Sequence, residues 1–337
     1  MTFLSQFRLD ESGFKQIKID FKDEKILGLL STNARRALSE LSKSVRLSRE
    51  GTFYRIRRLE NQGLIAGYYA VFDLRDFGYH TYHVFMVLNE SNAERKNAFV
   101  ERLVGHPHTK SVMEYSDRWD IEWVLVARDV QEFDLLVTDL MKEFSDIIIE
   151  KHKLEIILGY KSIQLPYAAD SQQVVFRAKK RLSVDIDQKD REICRELSGD
   201  ARLSLSAVGQ KIGLSADAVG YRLKRLVKDE IIREFSIVPN LSLLGYHWVT
   251  MGIEVRTFDL SQELKFKEYI SRTPEILRAV KTLGNWDLML HIATKDIQTR
   301  HRIVKDIQKT FVDVITSYQT WEGYKEYFFT GLPRVIQ

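Results

Sequence analysis

IDFKDEKI (residues 19–26) and IDQKDREI (residues 186–193) are two versions of one sequence, and the distance from Ile19 to Ile186 is 167 residues. The same offset holds without a gap. It pairs Ala34-Arg35 with Ala201-Arg202, Leu47-Ser48 with Leu214-Ser215, Arg58-Leu59 with Arg225-Leu226, and Gly78-Tyr79-His80 with Gly245-Tyr246-His247. Much later it still pairs Pro107 with Pro274, Trp119-Asp120 with Trp286-Asp287, Phe144 with Phe311, and Leu165-Pro166 with Leu332-Pro333. Solenoids repeat every few tens of residues, so a period this long marks duplication of a whole protein.

Each copy opens on three short amphipathic segments. In the first, Ile26, Leu27 and Leu30 recur at helical spacing; in the second, Leu38, Leu41 and Val45 do so. Ser48 and Ser215 each precede a third run and are placed to cap it. In that run Thr52, Ile56 and Leu59 face a core, as do Val219, Leu223 and Leu226. The free face carries Arg49, Phe53, Tyr54 and Arg57, flanked by Arg55 and Arg58, in copy one. In copy two it carries Asp217, Tyr221 and Lys224, flanked by Arg222 and Arg225. Two short helices before a cationic third is the layout of a recognition helix for a DNA major groove. Any single charged face is more simply solvated, but the arrangement occurs twice with the flanking arginines kept. Basic side chains would bind phosphate, with Arg49, Tyr54, Arg57, Asp217, Tyr221 and Lys224 better placed for base edges.

The strings Ala34 to Ile65 and Ala201 to Ile232 resemble the helix-turn-helix of the Lrp/AsnC, or feast/famine, regulators, and the likeness continues through GYYAVFD and Gly78-Tyr79. That family places a glycine in the turn before the recognition helix, as Gly213 is placed here; copy one has Arg46, which there would adopt left-handed backbone at a cost of about 1 kcal/mol and could repay it by touching a phosphate. Ser204 can cap the second helix where Ala37 cannot. The two heads are therefore expected to prefer different half-sites. GLIAGYYAVFD and EIIREFSIVPN each begin a β-rich stretch that serves as a wing.

Beyond each head, apolar and alternating runs at Tyr82–Leu88, Val112–Tyr115, Ile121–Ala127 and Ile147–Ile157 read as strands, with helices at Ala93–Val104 and Val130–Glu143. The order is the ferredoxin-like βαββαβ unit, and copy two repeats it. The fold class is α+β: two winged helix-turn-helix domains (16–66 and 183–233) and two sensor domains (67–166 and 234–337), with an extension at 1–15 and a linker at 167–182. The family resemblance implies that the sensor, known as a RAM domain, pairs sheets face to face in dimers. It also implies an effector, such as an amino acid, near a Gly-Asp-Tyr-Asp-like loop. Gly284-Asn285-Trp286-Asp287 matches that loop, whereas Asp117 replaces the glycine before Trp119-Asp120. Gly284, Asn285, Asp287 and Asp120 are the candidate effector residues, with the second copy the main binder, although an aspartate at a strand start also commonly closes a turn.

The chain of 337 residues is 44% hydrophobic and 29% charged with net charge +4, which suits a folded protein and is mildly favourable to a polyanion. Its one cysteine, Cys194, matches Leu27 and reads as a core residue. MTFLSQFRLDESGF lacks a signal peptide's apolar stretch, so a cytoplasmic, nucleoid-associated location is expected, with double-stranded DNA as partner and no membrane, cofactor or metal. His80 and His83 face opposite sides of one strand, and no glycine-rich phosphate loop or GxSxG elbow occurs. The sensor domains are expected to join chains into homo-oligomers, or to pair within one chain. Two further readings stay open. One is an enzyme like the siroheme decarboxylases, which resemble duplicated members of this family, although SVMEYSDRWDIEW and RAVKTLGNWDLML lack their histidine and asparagine-tyrosine. The other is a sensor that no longer binds DNA.

Overall fold

Asp20 and Asp187 begin the first helix of each head by the same device. Each side chain accepts a hydrogen bond from the amide three residues on, and Asp23 and Asp190 in turn accept one from the cap's own amide. The computed structural model describes residues 16–89, 91–161, 165 and 185–337; the expected extension (1–15) and linker (167–182) lie outside them. Head one contains α1 (Phe21–Thr32), α2 (Leu38–Val45) and α3 (Arg49–Asn61), and head two contains α6 (Gln188–Gly199), α7 (Leu205–Ile212) and α8 (Ala216–Lys228). Ser48 and Ser215 cap α3 and α8 by accepting from Gly51 and Ala218 amides. Arg46 is left-handed at φ 54° and Gly213 at φ 71°, so the turn does demand that backbone. Ser204 caps α7, and Ala37 makes no side-chain cap.

The expected wings take a form the repeat alone did not suggest. Strand β1 (Ile65–Phe72) follows α3, and β6 (Ile232–Pro239) follows α8; they pair with each other, antiparallel, in a two-stranded ribbon. Tyr69 lies opposite Ser236, its own counterpart in the repeat, so a pseudo-two-fold axis passes through that pair. Each head then packs on the other copy's strand. Ala34 N–H donates to Phe235 O at 2.8 Å and Ala201 N–H to Tyr68 O at 3.1 Å. Arg35 adds bonds to the carbonyls of Ala201 and Leu203 at 2.6 and 2.9 Å. A free strand edge would expose unpaired amides, and the second copy supplies the missing partner.

The sensor half of copy one is β2 (His80–Leu88), α4 (Ala93–Gly105), β3 (Thr109–Tyr115), β4 (Ile121–Ala127), α5 (Val130–Phe144) and β5 (Ile148–Lys161). Copy two gives β7 (His247–Val255), α9 (Leu260–Arg272), β8 (Ile276–Gly284), β9 (Leu288–Thr294), α10 (Ile297–Thr310) and β10 (Ile315–Phe329). The two sheets do not remain separate layers. They close into one barrel in the order β10-β3-β4-β2-β5-β8-β9-β7, with seams at β5–β8 and β10–β3. The paired sensors expected of a dimer are thus found inside one polypeptide. On β2, Val84 and Met86 face the core under α4 and α5 with Phe99, Leu103, Phe133 and Val137, while Phe85 faces into the barrel with Trp119, Trp286 and Trp321. Burial on both sides explains why all seven residues of β4 are buried and why its sequence is apolar at every position but Glu122.

Candidate nucleic-acid interface and effector loops

The third helix of each head separates its residues by face. Thr52, Ile56, Leu59, Val219, Leu223 and Leu226 are buried. Opposite them Arg49, Phe53, Tyr54 and Arg57 are exposed, as are Asp217, Tyr221 and Lys224. Arg57 lies over the Phe53 ring at 5.2 Å and pairs with Glu60 at 3.0 Å, so it is already extended along the open face. Arg46 is exposed at the turn leading to the same surface, and Ser48 and Ser215 stand at the helix starts, where unpaired amides favour an anion.

Four of the sequence-predicted contacts are placed elsewhere. Arg55 donates to Asp20 and Asp23 at 2.8 Å each, and Arg58 also pairs with Asp23. Arg222 repeats the first arrangement with Asp187 at 2.6 Å and Asp190 at 3.0 Å, and Arg225 repeats the second with Asp190. Asp23 and Asp190 are only 1% and 0% exposed, and a buried carboxylate requires a cation. These arginines clamp the third helix to the first. Their retention in both copies has a structural cause, which corrects their reading as groups aimed at DNA. Bonding to Arg222 likewise holds the Asp187 carboxyl below its ordinary range, and Asp20 is lowered by the Asp23 amide and by Arg55.

The effector loops are also partly structural. Asp120 accepts from the Leu88 amide at 2.6 Å and Asp287 from the Val255 amide at 2.8 Å, equivalent bonds that tie the first sensor strand of each copy to the turn. Gly284 and Asn285 are exposed. Gly284 has φ 143°, and a Cβ there would lie 2.4 Å from Lys153 O, so glycine is required by the close approach of β5. At the other seam Asp117, its counterpart, accepts from the Glu322 amide at 3.2 Å. The difference between the loops that suggested unequal ligand binding therefore has a packing origin as well.

Sequence reasoning missed a set of polar groups inside the barrel. His83 Nδ1 lies 2.5 Å from Glu122 Oε1, and Tyr115 donates to Glu122 Oε2 at 2.6 Å. Thr250 lies 3.5 Å from the Tyr115 hydroxyl and 3.2 Å from His291 Nδ1. Burial pushes both histidines below their ordinary value, with Glu122 opposing the effect at His83, and it raises Tyr115 well above its own. The available signal was a polar residue within an apolar run whose counterpart differs, as Glu122 differs from Met289. Among the described residues, no group of three or more histidine, cysteine or acidic side chains is placed to hold a metal ion. No described helix is long and apolar enough to cross a membrane.

Two helix-turn-helix heads on one ribbon above a barrel of two ferredoxin-like halves define a tandem head-and-sensor protein. Comparison with known proteins gives that class a family. The model of the AsnC-type helix-turn-helix domain matches residues 19–60 and again 186–227, and that of the Lrp/AsnC ligand binding domain matches 249–327. An uncharacterized HTH-type transcriptional regulator of Pyrococcus horikoshii is 33% identical over 124 residues, which are 36% of this chain and 81% of the relative. The transcriptional regulator AzlB of Bacillus subtilis is 29% identical over 127 residues, 37% of this chain and 80% of that protein. The chain belongs to the Lrp/AsnC family, as a duplicated member. Its whole tandem fold is similar to the crystal structure of the siroheme decarboxylase NirDL, with TM-score 0.62 over 91% of this chain and 92% of that one, at 12% identity. At that identity the likeness is one of fold.

Proposed function

We infer that this chain is a sequence-specific transcriptional regulator that holds duplex DNA with two unlike heads of one polypeptide. The observation that carries this reading is the pair of AsnC-type heads whose third helices bury one face and present Arg49, Tyr54 and Arg57, or Asp217, Tyr221 and Lys224, on the other. Because these side chains differ, the two half-sites differ. Phosphate contacts come from Arg46 and from the first-turn amides of α3 and α8 that Ser48 and Ser215 leave uncapped. A small effector at Gly284 and Asn285, held beside Asp287 and with a weaker equivalent at Asp120, changes the geometry of the ribbon and so the spacing of the heads. The protein acts in the cytoplasm, and contacts between barrels assemble chains further.

Gel retardation on DNA upstream of the protein's own gene tests this. The intact chain should bind with affinity falling steeply as salt rises. Arg57→Ala combined with Lys224→Ala should abolish specific retardation while leaving the thermal transition in place; retained specificity defeats the assignment. Site selection should return an asymmetric sequence.

Catalysis is a second reading, favoured by the buried His83, Glu122 and Tyr115 set within a fold shared with a siroheme decarboxylase. A chain that leaves DNA unretarded yet decarboxylates siroheme would replace the regulator.

A further inference from the structure

The repeat provides an internal control: a feature present at one residue and missing 167 positions away belongs to one half alone. A cavity of about 200 Å³ between the β1–β6 ribbon and the β5–β8 seam is such a feature. Arg75, Lys110, Arg233 and Arg278 line it, and their counterparts are Ser242, Leu277, Ala66 and Ser111, none of them basic. The two sides of the pseudo-two-fold axis therefore differ in charge, with Asp73 and Glu234, whose counterparts are Asn240 and Gly67, offsetting part of the extra positive charge.

Within the cavity the charges are unevenly matched. Asp73 takes both Arg75, at 2.9 Å, and Arg233. Lys110 and Arg278 have no side-chain hydrogen-bond partner among the described residues. Burial first, and then the neighbouring Arg278, push the Lys110 ammonium down to about 8; burial also lowers Arg278, with Glu122 opposing it. Two cations facing one space without a hydrogen-bonded counter-charge is a costly arrangement that an anion relieves. Much of the remaining wall is apolar, with Phe72, Ile156, Leu158, Val280 and Phe329, and Glu234 adds a second carboxylate to it. A bare inorganic ion would satisfy the cations and leave those walls empty.

We propose that this cavity binds one small organic anion, a carboxylate with an apolar body, between Lys110 and Arg278. The site is distinct from the loop at Gly284 and Asn285. Its walls come from both the head ribbon and the barrel seam, so its occupant is a second effector of the regulator, and that consequence rests on the regulatory reading while the binding does not.

The probe is 8-anilinonaphthalene-1-sulfonate, whose fluorescence rises in apolar surroundings, titrated into the full chain with hexanoate or hexanol as competitor. Hexanoate should displace the probe, and hexanol at equal concentration should not. Arg278→Met and Lys110→Met should each weaken probe binding about tenfold, the scale of one charged hydrogen bond, whereas Lys281→Met, outside the cavity on the same strand, should leave it unchanged. Melting curves establish which variants are folded, and the competition on the intact chain needs none of them. Equal displacement by hexanol, or unaltered binding in a folded Arg278→Met or Lys110→Met chain, overturns the site. Gel retardation measured in parallel separates the two readings: failure to bind DNA with hexanoate displacement intact removes the regulator and leaves the cavity assigned.

Discussion

The two seams of the barrel are made from equivalent strands and are closed by different chemistry. At β5–β8 the backbone of Lys153 approaches Gly284 so closely that no side chain fits. At β10–β3 the equivalent position is Asp117, which reaches across and accepts from the Glu322 amide. Two separate chains of identical sequence would be obliged to use one solution twice. Fusion removed that restriction, and the halves have diverged at the seams, in the chamber and in the heads.

The largest expected effect breaks the seam comparison directly. Gly284→Asp places a Cβ against Lys153 O on left-handed backbone and should cost about 2–4 kcal/mol. Asp117→Gly removes one partly exposed hydrogen bond and should cost about 1 kcal/mol. Urea denaturation followed by tryptophan fluorescence measures both; equal costs would show the seams to be equivalent.

An intermediate effect compares the two buried histidines. Their folded pKa values lie below the ordinary 6.5, so neither form is charged above that value and no stability is at stake there. Below it the unfolded chain takes up protons that the folded chain refuses, so stability should fall as the pH drops below 6.5. Glu122 partly offsets burial at His83 and nothing comparable does so at His291. His291→Phe should therefore flatten the pH dependence of the denaturation midpoint more than His83→Phe. His106, pushed down to about 4, contributes its own slope in both variants.

The smallest effects sharpen the comparison of heads. Arg46→Gly should stabilise head one by about 1 kcal/mol by relieving left-handed backbone. Ala37→Ser should add about 0.5–1 kcal/mol by supplying the cap that α2 lacks. Calorimetric melting checks both. A destabilised Arg46→Gly chain would mean that the arginine makes a contact worth more than its strain.

Much of the fold was legible because it is local. Helix caps, buried faces and the left-handed turn depend on residues within a few positions, so Ser48, Ser215 and Arg46 behave as their neighbours dictate. Strand β4 is legible with its observed bounds because both of its faces are buried and six of its seven residues are apolar, Glu122 being the exception. The candidate site was less legible. Arg55 and Arg58 sit on the flank of a cationic helix, and their partner Asp23 is 32 to 35 residues away on α1, invisible to any spacing rule. Lys110 and Arg278 are 168 residues apart and were not singled out at all.

The sequence by itself determined that there are two units, what elements each contains and which faces those elements bury, because hydrophobic periodicity and the offset of 167 residues are properties of one dimension. Only the tertiary structure decided where unpaired edges go. It joined β1 to β6 and β5 to β8, turned one polypeptide into a pseudo-dimer, and brought cations from both copies to one cavity. Edge pairing between distant strands is governed by backbone hydrogen bonds that every residue but proline can make, and so it leaves almost no signature in the order of the side chains.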